Sequence, residues 1–178
     1  MISLETERLV LRPPEAEDAD ALAPMYADPD VMRYVGDGRT FTPEETARSV
    51  QRMMDGWEAD GFGLFTTVRK DGDEIIGRVG LIVWNPETWQ VKRANGDGPT
   101  ELEVGYTLGK PYWGQGYATE AAGAARDYAI EKLGAKRLIA LIIHGNDASE
   151  NVARKLGFEH ERDIVFGPRN AQLFARGR

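Results

Sequence analysis

Residues 106–120 read YTLGKPYWGQGYATE, and this stretch carries a strand into a glycine-rich turn and the turn into a helix. The first turn of a helix has free backbone N–H groups and about half a positive elementary charge from the helix dipole. Gly114 and Gly116 lack Cβ atoms, so a phosphate group can approach the backbone closely. The turn therefore predicts a pyrophosphate-binding site, with a flexible strand–helix connection as the plainer alternative.

Two other phosphate-binding motifs fit this turn poorly. A P-loop needs a Lys-Ser or Lys-Thr pair after its glycines, and the sequence contains neither pair. A dinucleotide-binding fingerprint places its glycines after the first strand, with an acidic residue about 20 residues further on. Here the glycines follow four predicted strands, so a nucleotide-binding protein of either type is disfavoured.

The elements on both sides of the turn follow from hydrophobic periodicity and helix start signals. Thr42 as N-cap, Pro43 and Glu45 mark the start of a helix, whereas Asp28-Pro29-Asp30 is expected to end the helix predicted before it. A polar segment, residues 85–99, is expected to form a surface loop near a site. The order of elements predicts an α+β protein whose sheet carries helices on both faces. Strands are expected near 8–12, 62–69, 74–84, 101–108, 138–143, 164–166 and 171–174, and helices near 15–27, 43–61, 117–133 and 147–156.

Composition limits the chemistry of the chain. It has 178 residues, a formal net charge of −7, no cysteine, two histidines and 42% hydrophobic residues, which predicts one folded domain over residues 1–178. Without cysteine there are no disulfides, thiolate nucleophiles or cysteine-ligated metals. His144 and His160 lack metal-binding spacing, so no metal is expected. The acidic balance disfavours nucleic acid as a partner.

The sequence also argues against a membrane. Its longest apolar run, Leu138–Ile143, has six residues, far fewer than the roughly 20 that span a bilayer. The N-terminus lacks the basic and apolar regions of a signal peptide. The expected location is therefore the cytoplasm.

The segment after that apolar run, residues 144–158, reads HGNDASENVARKLGF. Asn146, Ser149 and Asn151 lie around the opening turn of a short predicted helix, where they can face the same crevice as the glycine turn. Asn and Ser also favour helix N-termini for local reasons, because their side chains accept hydrogen bonds from free backbone N–H groups. Capping alone therefore stays open as an alternative to ligand binding.

Taken together, these motifs resemble the GCN5-related N-acetyltransferases (GNAT), and among them the RimJ/RimL type of ribosomal-protein N-terminal acetyltransferases. The resemblance covers nearly the whole chain, with the motifs in the family's order and spacing. It implies a mixed, mostly antiparallel sheet of six to seven strands, splayed between the fourth and fifth, with about four helices. The motifs are ETERLVLR at 5–12, IG at 76–77, EVGYTL at 103–108, YWGQGYATEA at 112–121, Asn146 with Ser149, and KLGF at 155–158.

The resemblance also implies acetyl-CoA as cosubstrate and assigns residues to it. The backbone of Tyr106 and Leu108 would pair with the pantetheine arm like an added strand. Asn146 matches the family's cofactor-contacting asparagine, and Asn151 lies one helical turn on. A tryptophan, Trp113, stands where the family usually has Arg or Gln, which removes a side-chain contact but no backbone donor. The family's cofactor loop covers Trp113, Gly114, Gln115, Gly116, Tyr117 and Ala118, and N–H groups as far as Thr119 would hold the pyrophosphate.

For the chemistry, the absence of cysteine favours direct acetyl transfer in a ternary complex over an acyl-enzyme. The resemblance implies Glu103 as general base, directly or through a water molecule. A solvated glutamate or an ion pair with an arginine is the alternative. The tyrosine that many family members use as an acid corresponds to Ala153 here, so the role of proton donor to the leaving sulfur falls to Ser149.

The acceptor stays open between a protein N-terminus and a small amine such as a polyamine, an aminoglycoside or an amino acid. The acidic balance of the chain favours a cationic acceptor. A non-catalytic acyl-CoA-binding module is the alternative from another class, because the glycine turn and Asn146 serve both functions. A homodimer is possible on the same resemblance.

Overall fold

A computed structural model gives the fold of residues 2–177; Met1 and Arg178, the two ends of the predicted domain, lie outside the described residues. Within that range we number nine strands and five helices, and a 3-10 turn spans Lys110–Tyr112. The strands are β1 (Leu4–Glu5), β2 (Leu9–Arg12), β3 (Leu64–Arg69), β4 (Glu74–Asn85), β5 (Gln90–Val91), β6 (Glu101–Leu108), β7 (Arg137–Ile143), β8 (Glu159–Phe166) and β9 (Arg169–Gly177). The helices are α1 (Asp18–Ala27), α2 (Pro29–Met32), α3 (Pro43–Asp60), α4 (Tyr117–Glu131) and α5 (Asp147–Lys155).

All nine strands belong to one open sheet, in the order β1-β2-β3-β4-β6-β7-β9-β8, with β5 paired to β4. Every neighbouring pair is antiparallel except β6 and β7, which are parallel. The predicted α+β fold is therefore confirmed. Setting aside β1 and β5, which have two residues each, seven strands remain, and β6 and β7 are the fourth and fifth of them.

Two helix starts show how local sequence sets the element boundaries. The predicted start of α3 is confirmed: Thr42 Oγ1 accepts from the Glu45 N–H at 3.3 Å, and Glu45 Oε2 accepts from the Thr42 N–H at 2.9 Å. The predicted end of a helix at Asp28-Pro29-Asp30 is confirmed, since α1 ends at Ala27, and the same residues also start α2. Asp28 Oδ1 accepts from the Asp30 N–H at 2.8 Å and caps one helical turn, whose first residue is Pro29.

The hydrophobic core lies on both faces of the sheet. On one face α4 packs its small side chains, among them Ala121, Ala125 and Ala129, against β2, β4 and β6. On the other face α1 and α2 form a second cluster with Val50 of α3. No helix among residues 2–177 is long and apolar enough to cross a membrane. The sheet between these layers is the frame on which the site is built.

Candidate active site

The sheet opens between β6 and β7. These two strands pair at a single position, Glu103 with Ile139. Beyond it β6 runs on to Leu108 with no further β7 partner in the described chain, while β7 pairs along its length with β9. The opening leads into a cavity of about 920 Å³. Strand divergence thus produces a deep cleft in an otherwise continuous sheet.

Almost every residue predicted for the site lines this cavity. The exception is Gln115, whose side chain turns back so that Nε2 donates to the Pro111 carbonyl oxygen at 2.8 Å. Across residues 2–177 no three His, Asp or Glu side chains are grouped to hold a metal ion. The lining residues from the prediction are Glu103, Tyr106, Leu108, Trp113, Gly114, Gly116, Tyr117, Ala118, Thr119, Asn146, Ser149 and Asn151.

The turn before α4 presents a row of unused backbone donors. Gly114 and Gly116 have φ angles of 72° and 83°, the left-handed region that suits glycine. Gly116 is the N-cap of α4 and supplies no side-chain cap. None of the six N–H groups from Gly114 to Thr119 donates a hydrogen bond to another residue of the range 2–177. This arrangement is the anion-binding geometry of an open helix N-terminus.

Two side chains brace that turn from opposite ends. The Trp113 indole Nε1 donates to the Leu108 carbonyl oxygen at 2.8 Å, which ties the turn to the end of β6. Glu120, in the first turn of α4, accepts from Thr6 Oγ1 at 2.6 Å and from the N–H and Nε of Arg8 at 2.8 and 2.7 Å. Burial acts to raise the pKa of Glu120, but these hydrogen bonds outweigh it and hold the pKa below its usual value. No local motif points to Glu120, because its partners lie more than 100 residues away in the sequence.

The start of α5 faces the turn across the cavity. The capping reading of Asn146 is confirmed, because its Oδ1 accepts from the Ser149 N–H at 3.2 Å. The Tyr106 hydroxyl donates to the Ser149 carbonyl oxygen at 2.8 Å, and this links β6 to α5. Burial, followed by the charge of Glu103, raises the pKa of Tyr106. The Ser149 backbone is therefore held on both sides, while its hydroxyl has no hydrogen-bond partner among the described residues.

Glu103 lies where β6 and β7 separate, and its side chain is only 7% exposed. Its Oε2 accepts from the Trp84 indole Nε1 at 2.6 Å, and its Oε1 accepts from the Leu141 N–H of β7 at 3.1 Å. The carboxylate thus bridges the two strands beyond their last ladder position. Trp84 lies 19 residues before Glu103 in the chain, so no local motif identifies it as a partner.

The surroundings of Glu103 differ from both alternatives raised from the sequence. It is not solvated, and no Lys or Arg nitrogen of residues 2–177 lies within 4.0 Å of it. Burial raises its pKa, and the hydrogen bonds from Trp84 and Leu141 and the more distant charge of Arg78 oppose that shift without cancelling it. A buried carboxyl with a raised pKa in a cavity has the character of a general acid–base group.

Comparison with known proteins places this geometry in a family. The acetyltransferase (GNAT) domain family matches residues 8–159. An uncharacterized N-acetyltransferase p20 from Bacillus licheniformis is 34% identical over 162 residues, which are 90% of this chain and 84% of that protein.

Solved structures show the same fold. A GNAT-family acetyltransferase from Bacillus anthracis has a TM-score of 0.80 at 25% identity, with 99% of this chain and 98% of that one covered. A RimL ribosomal L7/L12 alpha-N-protein acetyltransferase in complex with coenzyme A has a TM-score of 0.76 at 17% identity, with 99% and 98% covered. At that identity the likeness to RimL concerns the fold alone.

Proposed function

The chain belongs to the GNAT acetyltransferase family, and on that basis we propose that it moves an acetyl group from acetyl-CoA directly to a primary amine within a ternary complex. One observation carries the proposal. Five of the six residues whose N–H groups are free, Gly114 and residues 116–119, line the same cavity as the buried carboxylate of Glu103. The N–H groups can bind the pyrophosphate of acetyl-CoA, and the Glu103 carboxylate can accept the proton that the amine loses. Acetyl transfer from CoA to an amine requires both.

The binding part of the proposal follows the open strand edge. The pyrophosphate of acetyl-CoA lies on the N–H groups before α4, where the helix dipole adds to the attraction. The pantetheine arm runs along β6 from Leu108 towards Glu103, beside backbone that β7 leaves unpaired. Asn146 and Asn151 border the opposite wall. This route brings the thioester to the point where β6 and β7 part.

The catalytic part assigns one proton transfer to each side of the thioester. The neutral amine attacks the thioester carbonyl, a C–N bond forms, the C–S bond breaks and the thiolate leaves. Glu103 takes the proton that the amine loses, directly or through water. The Ser149 hydroxyl gives a proton to the leaving sulfur and regains one from solvent. Positioned groups of this kind typically contribute about 10²–10⁴-fold each.

The acceptor in this proposal is a protein N-terminus, as in RimJ and RimL, or a small primary amine. The test is CoA release from acetyl-CoA across a panel of N-terminal peptides and small amines. Because the chain has no cysteine, a thiol reagent reports released CoA without background from the protein. Release with at least one amine is expected. Acetyl-CoA binding without release for any amine would instead mean a non-catalytic binding module, and a labelled acetyl group isolated on the protein would exclude direct transfer.

The binding site for the pyrophosphate has its own test. Ala118→Pro removes one donor at the second position of α4, a place where helices tolerate proline. A charge-assisted hydrogen bond contributes about 1.5–3 kcal/mol, so calorimetry should show a CoA affinity roughly 10- to 100-fold weaker. Glu44→Pro, at the same position of α3 and away from the cavity, is the matched control and should leave the affinity unchanged. An Ala118→Pro protein that binds CoA as tightly as wild type would contradict the assignment.

A further inference from the structure

Arg78 and Glu103 project from the same face of the sheet into the cavity. In the β4–β6 ladder, Arg78 stands opposite Thr107, Gly80 opposite Gly105, and Ile82 opposite Glu103. Directly opposed residues share a face, so the pair of glycines lies between the arginine and the glutamate. A Cβ on Gly105 would lie 3.0 Å from Ile82 Cδ1 and 3.8 Å from Glu103 Cδ. Gly105, which lines the cavity, therefore leaves the space beside Glu103 free of a side chain.

The Arg78 guanidinium has no counter-charge in the described chain. Its central carbon stands 5.5 Å from the Tyr26 ring centroid, a cation–π contact. Its Nε is buried and unpaired, and no Asp or Glu oxygen of residues 2–177 lies within 4.0 Å of its nitrogens. Arg12 is different, since it pairs with Asp18 at 2.6 Å. Arg78 is only partly buried, and the cavity that it lines is where an anionic partner can reach its guanidinium.

The charge of the cavity points the same way. Although the chain carries a net charge of −7, its cavity is lined by more basic than acidic side chains. Two of the acidic ones already have basic partners, Asp30 with Lys110 and Asp60 with Arg93. The lining contains Arg33, Arg52, Arg78, Lys92, Arg93 and Lys155 against Asp30, Asp60 and Glu103. A local positive field in an acidic protein reverses the preference for a cationic acceptor that composition alone indicates.

We infer that the acceptor amine also carries a carboxylate, which Arg78 binds while the amine lies beside Glu103. The inference rests on the proposed acetyl transfer. A guanidinium offers two parallel N–H groups to a carboxylate, a bidentate pair that fixes orientation as well as charge. Glu103 and Thr107, the neighbour of Arg78, lie four residues apart on β6, about 13 Å of strand. The Arg78 side chain covers part of this distance, and the acceptor must cover the rest. The amine and the carboxylate of the acceptor are therefore separated by several bonds.

The test uses a series of ω-amino acids of increasing chain length, from glycine to aminooctanoate. Each is assayed beside the n-alkylamine with the same number of carbons. CoA release should give, for the ω-amino acids that span the site, a KM at least tenfold below that of the matched alkylamine. Arg78→Met should raise that KM roughly 10- to 100-fold and leave the KM of the alkylamine and of acetyl-CoA within twofold. Arg162→Met, an exposed arginine outside the cavity, is the control and should change none of these values.

Binding separates failure of this inference from failure of the proposed function. Calorimetry of ω-amino acids with CoA-saturated protein reads the carboxylate site without turnover. If ω-amino acids bind in an Arg78-dependent way but no CoA is released, the carboxylate site is supported and acetyl transfer is rejected. If CoA is released with equal KM for ω-amino acids and alkylamines, only the carboxylate site is rejected. Arg78→Lys keeps the charge without the planar fork, so an intermediate KM is expected. Discrimination by Arg78→Lys that lies between those of wild type and Arg78→Met supports the bidentate pair, and wild-type discrimination in both variants overturns it.

Discussion

Asp18 and Glu103 are two buried carboxylates, 2% and 7% exposed, in opposite electrostatic surroundings. Asp18 receives hydrogen bonds from Arg12 Nη2 at 2.6 Å, Thr66 Oγ1 at 2.6 Å and the Glu15 N–H at 2.9 Å. Burial acts to raise the pKa of Asp18, but the hydrogen bonds and the charge of Arg12 outweigh it and hold the pKa below its usual value.

Glu103 receives two hydrogen bonds from neutral donors and no ion pair within the described chain, and burial raises its pKa. The difference between the two sites is therefore the adjacent cation. A buried carboxylate with a cation is locked in its charged form and holds the fold together. A buried carboxylate without one keeps a raised pKa and holds a proton more readily, and it is the one that borders the cavity.

The largest expected effect separates the two residues by activity. Glu103→Gln removes the proton acceptor and should lower kcat about 10²- to 10⁴-fold, measured as CoA release with saturating amine. Asp18→Asn, assayed under conditions where it is folded, should keep kcat within about threefold because Asp18 does not line the cavity. Equal losses in the two variants would remove the distinction.

The second effect separates them by stability. Asp18→Asn removes the close counter-charge of Arg12, whose other acidic partner, Glu15, is 3.8 Å away. It should lower the free energy of unfolding by about 3 kcal/mol, measured by urea denaturation. Asp127→Asn breaks an exposed pair with Arg126 and should cost less than about 1 kcal/mol. If Asp18→Asn matched the exposed control, the structural role of the Asp18 ion pair would be wrong.

The pH dependence of stability should have opposite signs at the two sites. Because the folded pKa of Glu103 is raised, its ionisation favours the unfolded state as pH rises above about 4.3, up to the folded pKa. The stability of Glu103→Gln relative to wild type should therefore increase over that range, by about 1.4 kcal/mol per unit of raised pKa. Because the folded pKa of Asp18 is lowered, its stabilisation is present above about 3.9 and is lost as pH falls. Denaturation at several pH values checks both signs, and a relative stability of Glu103→Gln that falls with pH would refute the raised pKa.

The smallest effect concerns the hydrogen bond from Trp84 to Glu103. Trp84→Phe removes a donor that favours the charged form, so the pKa of Glu103 should rise further. The acidic break in the kcat/KM profile should move to higher pH with it. Trp89→Phe is the control, because the Trp89 indole N–H makes no hydrogen bond among residues 2–177. A profile of Trp84→Phe that overlays wild type would mean that Trp84 does not set this pKa.

The features that sequence alone predicts are those made by residues close together in the chain. The α3 capping box, the Asn146 cap and the glycine turn each lie within a few residues, so the responsible contacts follow from the spacing. The α2 turn was missed because the same Asp-Pro pair that ends α1 also starts a new helix.

The contacts that sequence alone does not predict join residues that lie far apart in the chain. Glu103 meets Trp84 and Leu141, which are 19 and 38 residues away, through strand register alone. The alternation of β6 predicts that Glu103 leaves the apolar face, yet the opposite face is a cavity wall under helices and not solvent. The lack of an ion-pair partner for Arg78 is likewise a property of the whole fold, because it depends on where every carboxylate of the described chain lies.

The most direct test of the role of Glu103 is the slope of log kcat/KM against pH on the acidic limb. In wild type both the amine and Glu103 must lose a proton, so the slope should approach two below the raised pKa of Glu103. In Glu103→Gln only the amine titrates, and the slope should be one throughout. A slope of one in both proteins would contradict Glu103 as the base.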